Sequence, residues 1–160
     1  HRLWHEKGRE SNATMLFGNV ESRQNRIDHM LRIRDLQDKT GGFNAFIPLV
    51  YQRDNNYLKV ENYPGSAEIL KTFAISRLVL DNVAHIKAYW ATSTINLAMV
   101  AQEFGADDLD GTIEKESIQS AAGAKSASGM SLRNFTDLIQ TSGFVPVERD
   151  SLYNELKIYE

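Results

Sequence analysis

The densest group of potentially reactive side chains lies between Glu103 and Thr112, where Glu103, Asp107, Asp108 and Asp110 are followed by Gly111-Thr112. Four carboxylates so close together could bind a hard cation. However, the regular ligand spacing and turn glycine of a calcium loop are missing, so an Asx-turn or helix cap competes with ligand contact at Asp110-Gly111-Thr112. The four histidines form no H-E-x-x-H pattern. His1 and His5 have helical spacing and read as a surface pair at a frayed terminus, His29 lies mid-helix and His85 opens a strand. The chain contains no cysteine, so it supplies no disulfide, thiolate zinc site, thiol nucleophile or cysteine-held iron–sulfur cluster. Neither G-x-G-x-x-G nor G-x-x-x-x-G-K-[ST] occurs, which removes the usual glycine-rich phosphate turns. Arg53 and Lys87 are the cations suited to carboxylate ligands: Arg by a bidentate fork, Lys as a point charge.

These side chains need elements to position them. Ala13 to Phe17 reads as a short buried strand, followed by a helix capped at Ser22 and stopped by Gly41-Gly42, with Ile27, Met30, Leu31, Ile33 and Leu36 as its apolar stripe. Phe43 to Tyr51 is a near-continuous apolar strand interrupted by Pro48. A polar loop over 52–65 leads to a helix capped at Ser66, with Leu70, Phe73, Ala74 and Leu78 on one face. His85 to Trp90 is a third strand, and Ser93 or Thr94 caps a helix bearing Leu97, Val100, Ala101 and Phe104. Ala106 to Leu109 is a fourth strand. Residues 120–131 read as a mobile Ala/Ser/Gly loop, Ser131 caps a last helix stopped by Gly143, and residues 144–153 form an extended tail.

Four strand–helix units in succession imply parallel strands with right-handed crossovers, which suits a doubly wound sheet or part of a (β/α)8 barrel. The missing glycine-rich turn disfavours the former. A whole barrel takes roughly 250 residues against the 160 present. The expected fold is therefore α/β, the C-terminal half of a barrel over residues 1–112 with an appendage over 113–160. The net charge of -3 disfavours nucleic acid, and no apolar run approaches the ~20 residues of a membrane span. The chain begins with His and has no signal-like segment, so it reads as a fragment of a longer, cytoplasmic protein.

In a barrel the chemistry sits at the C-terminal strand ends. That rule selects Asn19 and Glu21, then Tyr51 to Arg53, then Thr92, then Asp110, Gly111 and Thr112. Strand alternation adds Thr14, Lys87 and Tyr89 as inward-facing candidates, because a polar side chain inside a barrel is costly without a ligand or partner. Glu21 could equally favour the positive end of the helix that follows it. Tyr89 and Trp90 serve as core or hinge aromatics, with adenine stacking as the alternative.

Several segments carry a resemblance. Residues 11–21 (SNATMLFGNVE), 34–43 (RDLQDKTGGF) and 46–49 (FIPL) resemble the second half of the radical S-adenosylmethionine enzymes of menaquinone and deazaflavin biosynthesis. Residues 80–90 (LDNVAHIKAYW), 105–112 (GADDLDGT) and 146–150 (PVERD) are similar to the aminofutalosine synthase branch of that family rather than to the dehypoxanthine futalosine cyclases. The resemblance implies a barrel enzyme that uses S-adenosylmethionine and a [4Fe–4S] cluster. Such an enzyme adds the 5'-deoxyadenosyl radical to the enol ether of 3-[(1-carboxyvinyl)oxy]benzoate and releases the carboxyl group. The candidate substrate or S-adenosylmethionine contacts chosen above by strand ends, alternation and charge are Thr14, Asn19, Glu21, Arg53, Lys87, Tyr89, Asp110, Gly111 and Thr112, with no metal ligand here and no assigned catalytic residue. Relatives often carry His at the position of Asn19 and histidines within 118–123, both absent here. The cluster-binding cysteine motif belongs to the other half of such a barrel, so the chain alone is expected to be inactive. Its partners are expected to be a small-molecule substrate and that N-terminal half, or a second copy of itself that covers the open sheet edges. The alternatives are a sibling enzyme of the same family and a non-catalytic ligand-binding α/β module.

Overall fold

The computed structural model describes residues 1–160 except Asn56, 114–116 and 124–128, so part of the expected 120–131 loop lies outside the described residues. Helix α1 (Arg2–His5) is followed by β1 (Ser11–Phe17), α2 (Arg23–Thr40), β2 (Phe43–Val50), α3 (Ser66–Val79) and β3 (His85–Ile86). Then come α4 (Trp90–Ser93), α5 (Ile95–Ala101), α6 (Ile118–Ala121), α7 (Leu132–Thr141), β4 (Val147–Arg149) and β5 (Glu155–Ile158).

Strands β1, β2 and β3 form a parallel sheet in that order, with Ala13 beside Phe46, Phe17 beside Val50 and Phe46 beside Ile86. Ala13, Met15 and Phe17 are buried, while the alternate residues Asn12, Thr14 and Leu16 are exposed. The buried row packs with Met30 and Ile33 of α2 and Ile69 and Phe73 of α3, and this layer is the core. Between the two helices the Ser76 hydroxyl donates to the Thr72 carbonyl at 2.7 Å and lies 3.4 Å from the Met30 sulfur.

Local chemistry explains the main boundaries. Ser22 caps α2 by accepting from the Asn25 amide, and the Asn25 side chain accepts from the Ser22 amide in return. Gly41 ends the helix at φ 61°, in the left-handed region where glycine has no Cβ penalty. Ser131 caps α7 in the same way as Ser22 caps α2, by accepting from the Asn134 amide.

Several expectations change. The third strand shrinks from 85–90 to His85–Ile86 because Trp90 already opens α4, and the fourth is a single parallel bridge from Lys87 to Asp108. Among the described residues, three parallel strands and one bridge thus stand where four strand–helix units are expected, and the fold is α/β with a parallel three-stranded sheet. The tail instead forms an antiparallel hairpin, β4 with β5. Gly65, not Ser66, occupies the N-cap of α3, and Thr94 precedes α5 without a side-chain cap bond. Leu31, Leu78 and Val100 are exposed, because the buried stripes are centred instead on Met30, Phe73 and Ala98. His5 is buried rather than frayed, with its ring nitrogens 2.8 Å from the Thr40 and Ser11 hydroxyls and its ring edge-on to Phe43. Burial, and the positive chain terminus after it, hold the His5 pKa below the ordinary imidazole value.

Candidate functional site: strand ends and a buried charge cluster

One cleft lies at the C-terminal end of β2 and another beside the C-terminal hairpin. The first, of about 360 Å³, is bounded by Val50 and Gln52 to Asp54 after β2, by Tyr63 to Ser66 before α3 and by Ala91 to Thr94 at α4. The Gln52 side chain donates to the carbonyls of Val50 and Thr92, both at 3.0 Å, and so joins the end of β2 to α4 across the cleft wall. Arg53 is exposed at this cleft, its guanidinium 4.8 Å from the Tyr63 ring centre. Thr92 and Ser93 are buried and donate their hydroxyls to the Tyr89 carbonyl. The second cleft, of about 550 Å³, lies between residues 107–112, α7 and the hairpin.

Between the sheet and the hairpin lies a cluster of buried charge. Lys87 Nζ is 2.5 Å from Asp110 Oδ1 and 3.6 Å from Asp108 Oδ2. The same Asp108 oxygen accepts from Arg149 and, at 2.7 Å, from the Tyr153 hydroxyl, while Asp108 Oδ1 accepts from the Asp110 amide at 2.8 Å. Burial by itself would raise the Asp108 pKa, but the Lys87 charge, the Tyr153 hydrogen bond and the Asp110 amide outweigh it and hold the carboxyl below its ordinary value. Burial first, and then the Asp108 acceptor, push the Tyr153 phenol far above its ordinary value. The Trp90 indole donates to the Gly111 carbonyl at 2.8 Å, tying α4 to the turn after Asp108.

Glu21 is consumed locally. Its carboxylate accepts from the amides of Gly18 at 2.7 Å and Asn19 at 2.9 Å, and from Arg26 Nε at 2.7 Å. Arg26 continues to Glu68 at 3.2 Å, and Arg23 grips Glu68 with two bonds. Burial pushes the Glu21 pKa up, but the two amides and the guanidinium prevail and leave it lowered.

The structure therefore brings Lys87, Asp110 and Gly111 together and places Arg53 at the first cleft. Thr112 borders the second cleft, and its carbonyl accepts from the Met130 amide at 3.2 Å. Tyr89 is half-buried at the N-cap of α4. Asn19 is half-buried beside Glu21 and bonds the Val20 amide through its own side chain. Thr14 is exposed on the uncovered sheet face, its carbonyl accepting from His29. Arg149 and Tyr153 were not among the candidates read from the sequence, and Asp108 was weighed there only as a cation ligand within the acidic run. Strand alternation held the clue to Asp108, because Asp107 turns outward to Arg77 and His85 while its neighbour turns in. Nothing local marks Arg149 or Tyr153, which reach Asp108 over 41 and 45 residues of chain. Asp107, Asp108 and Asp110 of the acidic run are thus ion-pair partners, and among the described residues no group of three or more His, Cys, Asp or Glu is arranged around a metal.

With this geometry in place, comparison with known proteins is informative. The family model described as "CofH/MqnC C-terminal region" matches residues 40–160. An aminodeoxyfutalosine synthase of Thermus thermophilus is 44% identical over the whole of this chain, which covers 44% of that protein. An aminodeoxyfutalosine synthase of Streptomyces coelicolor is 43% identical, again over the whole chain and 44% of its own length. A cyclic dehypoxanthine futalosine synthase of Streptomyces coelicolor is 42% identical over 98% of the chain and 39% of that protein. The chain spans less than half the length of these relatives. It belongs to the CofH/MqnC C-terminal family.

Proposed function

We propose that this chain is the substrate-facing part of a cytoplasmic radical S-adenosylmethionine enzyme with aminofutalosine synthase activity. The supporting observation is the first cleft: it opens where β2 ends, beside α4, as expected of a barrel site, and combines an exposed guanidinium with apolar walls at Val50, Ile69 and Leu97. In this reading residues 1–112 complete a barrel with residues supplied by the rest of the parent protein, and 113–160 pack against it.

The cofactor demands of that reaction are unequal. A [4Fe–4S] cluster needs thiolates, and this chain has none, so its donor set does not fit the cluster and no step is assigned to it here. The chain's own contribution is binding and shielding. Arg53, steadied over Tyr63, pairs with a carboxylate of the organic substrate, while the apolar walls hold its ring and exclude water. Lys87 is already paired with Asp108 and Asp110, so it holds that acidic pair rather than serving as a second substrate cation.

Replacing Arg53 in the parent protein tests this. An Arg–carboxylate pair contributes roughly 1.5–3 kcal/mol, so Arg53→Ala raises KM for 3-[(1-carboxyvinyl)oxy]benzoate by about 10- to 100-fold, and Arg53→Lys recovers part of it. An unchanged KM in Arg53→Ala would remove the cleft from the substrate site. A second reading is favoured by the 42% identity to the cyclic dehypoxanthine futalosine synthase, namely that the same cleft serves a futalosine-derived nucleoside.

A further inference from the structure

The β4–β5 hairpin is poorly anchored by apolar contact: every residue of β5 is exposed, and in β4 only Arg149 is partly covered. Its attachment to the sheet is instead polar and passes through Asp108. Arg149, at the end of β4, and Tyr153, in the connecting turn, both donate to the same Asp108 oxygen, and the Arg149 guanidinium lies 4.1 Å over the Tyr153 ring. Tyr153 also stacks on His85 with ring centres 4.0 Å apart and planes within 8°.

On its other side Asp108 holds the turn that leaves the sheet. Asp110 has φ 65° and Gly111 φ 72°, and the Asp110 amide is pinned to Asp108 Oδ1. Tyr153 also has φ 65°. Left-handed backbone at a residue other than glycine is strained and persists only where surrounding bonds impose it. One buried carboxylate thus holds two such residues, one in each segment. The local charges balance, Lys87 and Arg149 against Asp108 and Asp110.

We propose that Asp108 is a positioning residue through which the C-terminal hairpin sets the conformation of the 110–112 turn. The consequence for turnover rests on the functional reading above; the coupling between hairpin and turn does not.

Hydrogen exchange on the parent protein provides the test, with Tyr153→Phe, which keeps the stacked ring and removes one hydroxyl, and Arg149→Met with Arg149→Lys as its rescue. Lys157→Met, on the same hairpin but outside the cluster, is the control. A hydrogen bond to a charged group contributes roughly 1.5–3 kcal/mol, so exchange over 108–112 speeds up by about tenfold or more in Tyr153→Phe and Arg149→Met, while peptides from β2 and the Lys157→Met control stay unchanged. Activity of the same proteins on the organic substrate tests the functional reading separately, and Arg149→Lys restores most of the lost protection over 108–112. Unchanged exchange over 108–112 in both variants overturns the coupling, whatever the activity. Faster exchange in a parent that does not turn over the substrate keeps the coupling and rejects the functional reading instead.

Discussion

The ammonium of Lys87, on a residue only 6% exposed, sits 2.5 Å from a carboxylate oxygen of Asp110, 23 positions further along the chain. Because Lys87 also faces Asp108, its removal leaves two acidic groups to share Arg149, whose guanidinium is 4.0 Å from Asp110. Breaking a buried pair by deleting one partner typically costs about 3–5 kcal/mol, and Lys87→Met is expected to fall in that range. Urea denaturation measures it; a loss below about 1 kcal/mol would show that Lys87 contributes as little as a surface ion pair.

The network around Glu21 makes stability depend on pH. Amides and Arg26 hold the Glu21 carboxyl below its ordinary value, and its neighbour Glu68 is likewise lowered, chiefly by hydrogen bonding to Arg23. A carboxylate whose folded pKa lies below its unfolded value stabilises the fold fully above the unfolded value of about 4.3, and that contribution drains away as pH falls through the folded value. The urea midpoints of the unaltered chain and Glu21→Gln should therefore differ most near neutral pH and converge on acidification toward pH ~3. A gap independent of pH would contradict this assignment.

Gly18 links the end of β1 to the first cleft. It adopts φ 87°, and a Cβ added there would lie 2.7 Å from the Pro64 ring, part of the cleft wall. Gly18→Ala therefore combines backbone strain with a steric clash, for an expected cost of about 1–3 kcal/mol. The displaced Pro64 should also weaken substrate binding. Thermal melting checks the first effect and KM for the substrate proposed above checks the second, and an alanine variant as stable as the original would contradict the strain.

What the sequence disclosed, and what it hid, follows the reach of each interaction. The Ser22 and Ser131 caps and the Gly41 stop are local chemistry, and all three were legible from neighbouring residues. The first two strands were legible because their apolar runs are long enough to be covered on a face. The third and fourth were overread: His85 to Trp90 is apolar enough for a strand, but the backbone turns into α4 at Trp90. The hairpin was missed because Val147–Arg149 and Glu155–Ile158 are short and almost wholly exposed, which leaves no alternation of apolar and polar residues to read.

The site shows the same division. Strand-end logic brought out Asp110, Gly111 and Arg53, which the structure places at the two clefts. It could not show that Lys87 is already paired, because its partners Asp108 and Asp110 are set by tertiary packing, whereas the partners of Glu21 lie within five residues of it. His5 illustrates the same limit at the other end of the chain, where its burial depends on Thr40 and Phe43, far along the sequence.

The most direct test of the functional reading is product analysis of the parent enzyme, with its cluster intact, given S-adenosylmethionine, a reductant and either 3-[(1-carboxyvinyl)oxy]benzoate or dehypoxanthine futalosine. The expected result is aminofutalosine, identified by mass spectrometry, from the first substrate and no cyclised product from the second. Cyclisation of dehypoxanthine futalosine without formation of aminofutalosine would contradict it.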